Sequence, residues 1–203
     1  MPFNKLHPAL LDALEVRSIE TPTPLQKRSI PIIKSGANVF CIGPKDCGKT
    51  TTLILTTLQK LKCEAIENAP RAIVIVKNKS RALELQQSFL GYTKYTSLRV
   101  YAGYEELHID IQKSEIFMGI DILITTPRMI QKLFLQNGVS ISQLKILSIA
   151  DADFLSQRTE YTALISVVES LKKCQFVVYA ESFHPQLKRL RDHFMEHAKL
   201  VQN

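Results

Sequence analysis

Six short apolar runs, most of them β-branched, set the fold: residues 38–42, 72–76, 98–101, 121–125, 145–149 and 175–179. They recur about every 25 to 30 residues. Continuous apolarity, rather than alternation, is what a strand needs when both of its faces are covered. Stretches of helical period separate the runs, at 50–62, 81–92, 128–136, 160–172 and 185–197. The last places Leu187, Leu190 and Phe194 on one face and Lys188, Arg189 and Asp192 around the other. Strand and helix alternating at this spacing predict a parallel β-sheet with helices on both faces. An N-terminal helix at 8–16 and the Pro-rich turn Thr21-Pro22-Thr23-Pro24 come before the first strand. With no repeat, linker or low-complexity tract, the expectation is one α/β domain over 1–203, with an N-terminal segment 1–37 and a core 38–203.

Composition narrows the class. Of 203 residues, 45% are hydrophobic and 22% charged, with seven Gly and nine Pro, which excludes disordered and collagen-like chains. Lys and Arg exceed Asp and Glu, 26 − 19 = +7, a moderate excess that suits an anionic ligand or nucleic acid without requiring either. Four cysteines stand apart with no CxxC pair, which argues against a disulfide framework or zinc site and for a reducing compartment. Asp12 and Glu15 lie where a signal peptide needs apolar residues. No apolar run approaches the roughly 18 residues that span a bilayer. A soluble intracellular protein with no membrane partner is expected.

The most specific motif is Gly43-Pro44-Lys45-Asp46-Cys47-Gly48-Lys49-Thr50, a full G-x-x-x-x-G-K-[ST] match directly after an expected strand and opening an expected helix. Such a turn aims several backbone N–H groups and the positive end of a helix at one point, where a phosphate chain docks. Lys49 then reaches the β- and γ-phosphates, and the Thr50 hydroxyl, with Thr51 beside it, faces Mg²⁺. Asp46 sets a negative charge in the same loop. The plain alternative is a chance match on a Gly-containing turn.

The residues around this loop resemble the DEAD-box RNA helicases, in particular their first RecA-like domain, a P-loop NTPase fold. Upstream, Ser18-Ile19-Glu20-Thr21-Pro22-Thr23-Pro24-Leu25-Gln26 looks like the Q motif, whose Gln reads the adenine edge. Phe3 is the candidate for the adenine-stacking aromatic, slightly displaced from its usual place. Lys77-Asn78-Lys79-Ser80-Arg81-Ala82-Leu83 stands where the family has P-T-R-E-L-A, and Ala102-Gly103 where it has G-G. Thr125-Thr126-Pro127-Arg128 stands for T-P-G-R, Ala150-Asp151-Ala152-Asp153 for D-E-A-D, and Ala180-Glu181-Ser182 for S-A-T. The motifs run through the whole chain in the family's order. The resemblance implies ATP and Mg²⁺ as cofactors. It also implies single-stranded RNA held by its backbone along Lys77, Lys79, Arg81, Gly103, Thr126 and Arg128. Phosphate contacts of this kind carry affinity and little sequence preference; the bland reading of the same lysines is a solvated loop.

Departures fall where chemistry would be done. Ala150 removes the carboxylate that holds Mg²⁺ in the family, and Asp151 is one methylene shorter than the Glu that positions the attacking water. Asp151 serves either as a base or as a metal ligand. A misplacement of about 1 Å costs on the order of 100-fold in rate. Asp153 and Ser182 keep an acid and a hydroxyl for the link between D-E-A-D and S-A-T. The arginine fingers that complete hydrolysis in this family sit on a second RecA-like domain, which these residues do not include. The chain is therefore expected to be part of something longer and not to unwind a duplex alone.

Two readings follow from the resemblance. One is an ATP-dependent RNA-binding enzyme module with weak or lost ATP hydrolysis. The other is a catalytically inactive RecA-like scaffold for RNA or protein association in an RNP. A P-loop NTPase outside the helicases is a third, which would leave Gln26 unexplained. Degenerate helicase domains of this kind resemble those in Tudor-domain proteins of the piRNA pathway, including the Yb type. This implies a cytoplasmic setting, in RNP granules, with the nucleus also open. Elsewhere, His193 and His197 read as a solvated helix face rather than a metal clasp, Cys47 as a small filler, and Lys172, Lys173, Lys188, Arg189 and Arg191 as solubility residues.

Overall fold

The computed structural model describes residues 3–66, 68–171 and 173–203. Its centre is a seven-stranded sheet, every pairing parallel, in the order β3-β4-β2-β5-β6-β1-β7. The strands are β1 (Val39–Ile42), β2 (Ala72–Ile75), β3 (Val100–Gly103), β4 (Ile122–Thr125), β5 (Ile146–Ile149), β6 (Gln175–Ala180) and β7 (Lys199–Gln202). Each of the first six overlaps one of the six apolar runs, β3 only over residues 100–101, and in the five inner strands the continuous apolarity has the expected cause. Val39, Cys41, Val74 and Ile124 pack into one core, whereas Phe40, Ile42, Ile75 and Leu123 pack into a second core across the sheet. Each successive side chain changes face, and helices cover both.

The helices are α1 (Pro8–Glu15), α2 (Pro24–Lys34), α3 (Lys49–Lys60), α4 (Lys79–Thr93), α5 (Ile109–Met118), α6 (Pro127–Leu135), α7 (Arg158–Val168) and α8 (Pro185–Phe194). Helices α1 to α4 supply Leu10, Ile30, Leu58 and Phe89 to the first core. Helices α5 to α8 supply Ile116, Met129, Leu164 and Leu187 to the second. Helix α3 presents Leu53, Ile54, Leu55 and Leu58 as buried side chains, so the segment that opens at the Gly-rich loop is enclosed on nearly every side. Among the described residues no helix is long and apolar enough to cross a membrane.

Three elements differ from the sequence expectation. The Pro-rich turn is the start of helix α2: Thr23 caps it, accepting from Gln26 N while Gln26 Oε1 accepts from Thr23 N, and Pro24 occupies the first helical position. Helix α5 fills the interval between β3 and β4, capped by His108. The C-terminal helix stops at Phe194, and the chain returns as the edge strand β7, in which Val201 alone is buried. With one residue in four covered, this edge strand has no apolar run, which is why its sequence is silent. Lys172, the expected end of the helix before β6, lies outside the described residues.

One buried charge cluster joins three adjacent strands at the end away from the Gly-rich loop. Asp121, fully buried before β4, accepts from Arg71 Nη2 at 2.7 Å, Arg99 Nε at 2.9 Å, and the backbone N–H groups of Arg99 and Ile66. Arg71 also donates to the carbonyls of Glu64 and Leu61. Burial pushes the Asp121 carboxyl upward, and the two guanidiniums with the two amides more than offset it, leaving its pKa below the ordinary value.

Candidate functional site

The site lies at the C-terminal ends of the strands, where the chain leaves β1 through residues 43–48 and enters α3. Gly48 sits at φ +93, and a Cβ there would stand 2.7 Å from Gln26 Nε2 and 3.0 Å from Thr23 Oγ1. Only glycine meets both demands, the left-handed backbone and the close approach of the Q segment. Thr23 Oγ1 donates to Cys47 O at 2.8 Å, and Gln26 Nε2 donates to Gly48 O at 3.3 Å. The N-terminal turn of α2 is thus fastened to the loop. Gln26 is 2% exposed and both ends of its amide are held by backbone groups, so here it acts as a brace. Phe3 is buried in the first core, and its ring is not presented at the cleft.

Lys49, the first residue of α3, folds back so that Nζ donates to Gly43 O at 2.5 Å and Pro44 O at 2.6 Å. The ammonium is nearly buried and close to Cys47 Sγ, at 3.9 Å, while Lys45 and Asp46 face solvent. Cys47 itself is buried. Before the loop opens a cleft of about 1150 Å³, walled by the loop, the start of α4, and Asp151, Asp153 and Ser182. A helix N-terminus with free N–H groups and a lysine at the mouth of such a cleft holds an anion.

Arg81, expected beside RNA, has its guanidinium in this cleft, which Lys77 also lines: Nε donates to Asp151 Oδ2 at 2.8 Å, Nη2 to Thr50 Oγ1 at 3.1 Å and Nη1 to Glu84 Oε1 at 2.7 Å. Asn78 caps α4 by accepting from Arg81 N, which fixes the backbone from which the guanidinium reaches across. Mg²⁺ does not fit the residues present. The side chain in the family's metal-holding position is the buried methyl of Ala150, and Thr50 and Asp151, the two expected ligands, both accept from Arg81. Among the described residues no group of three or more His, Cys, Asp or Glu comes together, the His193 and His197 region included.

The link behind the cleft is intact. Asp153 accepts from Glu181 N at 2.9 Å, Ser182 N at 3.3 Å and Ser182 Oγ at 3.4 Å, so one carboxylate ties the end of β5 to the end of β6. Because two of the three donors are backbone, Ala180 and Glu181 can differ from the family pattern without loosening it. Asp151 adopts φ 50, the left-handed conformation that Asp tolerates better than most residues.

The remaining cations occupy the same end of the sheet. Lys77 lines the cleft beside the start of α4, and Lys79 Nζ sits 5.0 Å from the centre of the Tyr104 ring. Gly103 ends β3 with Gln112 close against it. Thr126 is buried: it caps α6 by accepting from Met129 N and donates to Glu105 Oε1 at 2.5 Å. Arg128 is exposed and pairs with Glu160 at 2.7 Å.

Comparisons with known proteins bear on the family and the fold. A family model described as DEAD/DEAH box helicase matches residues 23–190. The chain belongs to that family. The helicase domain is 30% identical over 139 residues to the pre-mRNA-processing ATP-dependent RNA helicase prp-5 of Neurospora crassa, covering 67% of this chain and 12% of that protein. It is 28% identical over 153 residues to the ATP-dependent RNA helicase RhlB of Hamiltonella defensa, covering 73% and 36%. The crystal structure of a DEAD box protein from the hyperthermophile Methanococcus jannaschii superposes with a TM-score of 0.90 at 16% identity, covering 98% of this chain and 55% of that one. The fold is therefore that of a DEAD-box RecA-like domain. The chain spans about a third of the RhlB relative and about an eighth of the prp-5 relative.

Proposed function

We propose that this helicase domain binds ATP in the cleft before Gly48-Lys49-Thr50 and the backbone of single-stranded RNA across the ends of β2, β3 and β4, with ATP hydrolysis weak or lost and no unwinding on its own. The observation that carries the reading is Lys49: a buried ammonium at a helix N-terminus, held on the carbonyls of its own loop at the place a phosphate chain would take. ATP supplies the β- and γ-phosphates to which that ammonium turns. Lys49→Ala should weaken binding of N-methylanthraniloyl-ATP about 10- to 100-fold, the worth of one charge-assisted contact. Unchanged affinity in a fluorescence titration would remove the loop from the reading.

Weak turnover follows from the acids. Ala150 offers no carboxylate, and Asp151 is paired with Arg81 rather than free to orient water. A second RecA-like domain on a longer chain is the partner that would close the cleft. Such a pair would clamp RNA more readily than it would move along it.

For RNA, the exposed Lys77 and Arg128 and the half-buried Lys79 each neutralise a phosphate, Arg128 leaving Glu160 to do so. With a slope of about −0.7 per phosphate on single strands, three contacts should lower affinity roughly 20-fold between 50 and 200 mM salt. Fluorescence anisotropy of a labelled oligouridine measures this, and a flat salt response would argue that the lysines are only solvated.

The second reading, a catalytically inactive scaffold for RNA or protein in an RNP or small-RNA assembly, is favoured by one observation. Arg81 satisfies Thr50 and Asp151 from within the protein. Retained RNA binding with no nucleotide affinity at millimolar analogue would select it.

A further inference from the structure

We propose that Arg81 takes the place of the divalent cation in this cleft, so that nucleotide binds here without Mg²⁺. The inference rests on the nucleotide-binding reading above and goes beyond it, since it names the counter-charge the triphosphate meets. In P-loop sites the metal bridges the β- and γ-phosphates while the loop hydroxyl and an acid hold it. Here the loop hydroxyl, Thr50 Oγ1, accepts from Arg81 Nη2, and the carboxylate nearest in the chain to the missing one, Asp151, accepts from Arg81 Nε. The two groups that would face a metal face one guanidinium. The substitution is coupled: Ala150 deletes a negative charge at the position where the cation would need it, and Arg81 brings a fixed positive charge to the same place.

The guanidinium is built in rather than lying loosely in the cleft. Arg81 is 15% exposed, its backbone N–H is capped by Asn78, and three of its side-chain donors are directed at Asp151, Thr50 and Glu84. A guanidinium carries five N–H groups in a planar fork, stays charged at any physiological pH, and matches pairs of phosphate oxygens. It supplies electrostatic neutralisation and orientation. It cannot supply a metal-bound water or exchange its ligands as an ion does. Binding and turnover are thereby separated, with the anchor for a triphosphate kept and the metal chemistry lost. Added Mg²⁺ competes with Arg81 for the same phosphate oxygens, so it should not help.

The experiment is a titration of the protein with N-methylanthraniloyl-ATP in EDTA and in excess Mg²⁺, with Arg81→Ala and Arg81→Lys in parallel and folding checked by circular dichroism. Affinity in EDTA should equal or exceed that in Mg²⁺. Arg81→Ala should weaken the metal-free affinity about 10- to 100-fold, and Arg81→Lys, which keeps the charge without the fork, should fall between. If Arg81→Ala does not fold, the EDTA and Mg²⁺ titrations of the unaltered protein and Arg81→Lys still decide. The double variant Arg81→Ala, Ala150→Asp should gain a Mg²⁺ requirement. Binding of the unaltered protein that tightens more than about tenfold with Mg²⁺ overturns the proposal, as does Arg81→Ala with undiminished affinity in EDTA. No binding in either buffer overturns the nucleotide reading itself, a result distinct from Mg²⁺-dependent binding.

Discussion

Asp121→Asn should destabilise the domain by about 3–5 kcal/mol, the cost of leaving a buried charge without its partner. The neutral amide cannot balance Arg71, which is 1% exposed. Arg71 Nε already lacks a hydrogen-bond partner, so the cluster has no spare acceptor for the released guanidinium. For a chain of this size the loss corresponds to a fall in Tm of roughly 6–20 °C, read by thermal circular dichroism. The pH dependence has a definite sign. The folded carboxyl titrates below its unfolded value, so its contribution is complete above about pH 4. It is lost as pH drops through the lowered folded value. The acid limb of the stability curve should therefore be shallower in Asp121→Asn than in the unaltered protein. The double change Arg71→Met, Asp121→Leu should cost less than Asp121→Asn, because removing both charges leaves neither unpaired. A loss under about 1 kcal/mol in Asp121→Asn would show the cluster to be solvated in practice.

That cluster also shows what the sequence hid and why. Arg71, Arg99 and Asp121 each stand one residue before a strand, β2, β3 and β4 in turn, a pattern without meaning until those strands are known to be neighbours in the order β3-β4-β2. The five inner strands were legible because a strand covered on both faces must be apolar throughout. The loop at 43–50 was legible because its residue types are dictated by local backbone geometry. Helix α2 was obscured by Pro22 and Pro24, which read as a turn, although Thr23 and Gln26 form a capping box three residues apart. Strand β7 was obscured because an edge strand needs one buried side chain, here Val201.

Arg81 shows a limit of motif order at the site. Matching residues to a family motif in order assigns them the motif's role, and that order places residues 77–83 together along RNA without showing that Arg81 reaches Thr50 and Asp151. Arg81 is the third residue of α4, and its side chain reaches Thr50 and Asp151 across the cleft that Lys77 also lines. A signal did exist in the sequence. The loss of a carboxylate at Ala150 and the gain of an arginine near the neighbouring strand end are the two halves of one exchange of charge. The end of β2 lies beside the end of β5, with Ile75 paired to Ile149. Sequence reading treated the first as damage and the second as RNA affinity; adjacency in the sheet joins them.

Gly48→Val should abolish nucleotide binding and lower stability, whereas Gly36→Val should do only part of the second. The two glycines have nearly the same backbone, φ +93 and φ +91. A β-branched residue forced into that region costs about 1–3 kcal/mol at either position. What differs is the space. A Cβ at Gly36 meets nothing within 4 Å, whereas at Gly48 it meets Gln26 Nε2 at 2.7 Å and Thr23 Oγ1 at 3.0 Å. Those atoms make the bonds that fasten α2 to the loop, so Gly48→Val adds the loss of about 1 kcal/mol for each hydrogen bond broken. The loop N–H groups then lose their common aim. Binding of N-methylanthraniloyl-ATP should weaken more than about 100-fold, beyond the effect of Lys49→Ala, because the whole cradle is displaced rather than one charge. Because the pair shares its strain, the difference in Tm between the variants measures the brace formed by Thr23 and Gln26. Equal melting temperatures with binding retained in both would mean that the Q segment leans on the loop without shaping it.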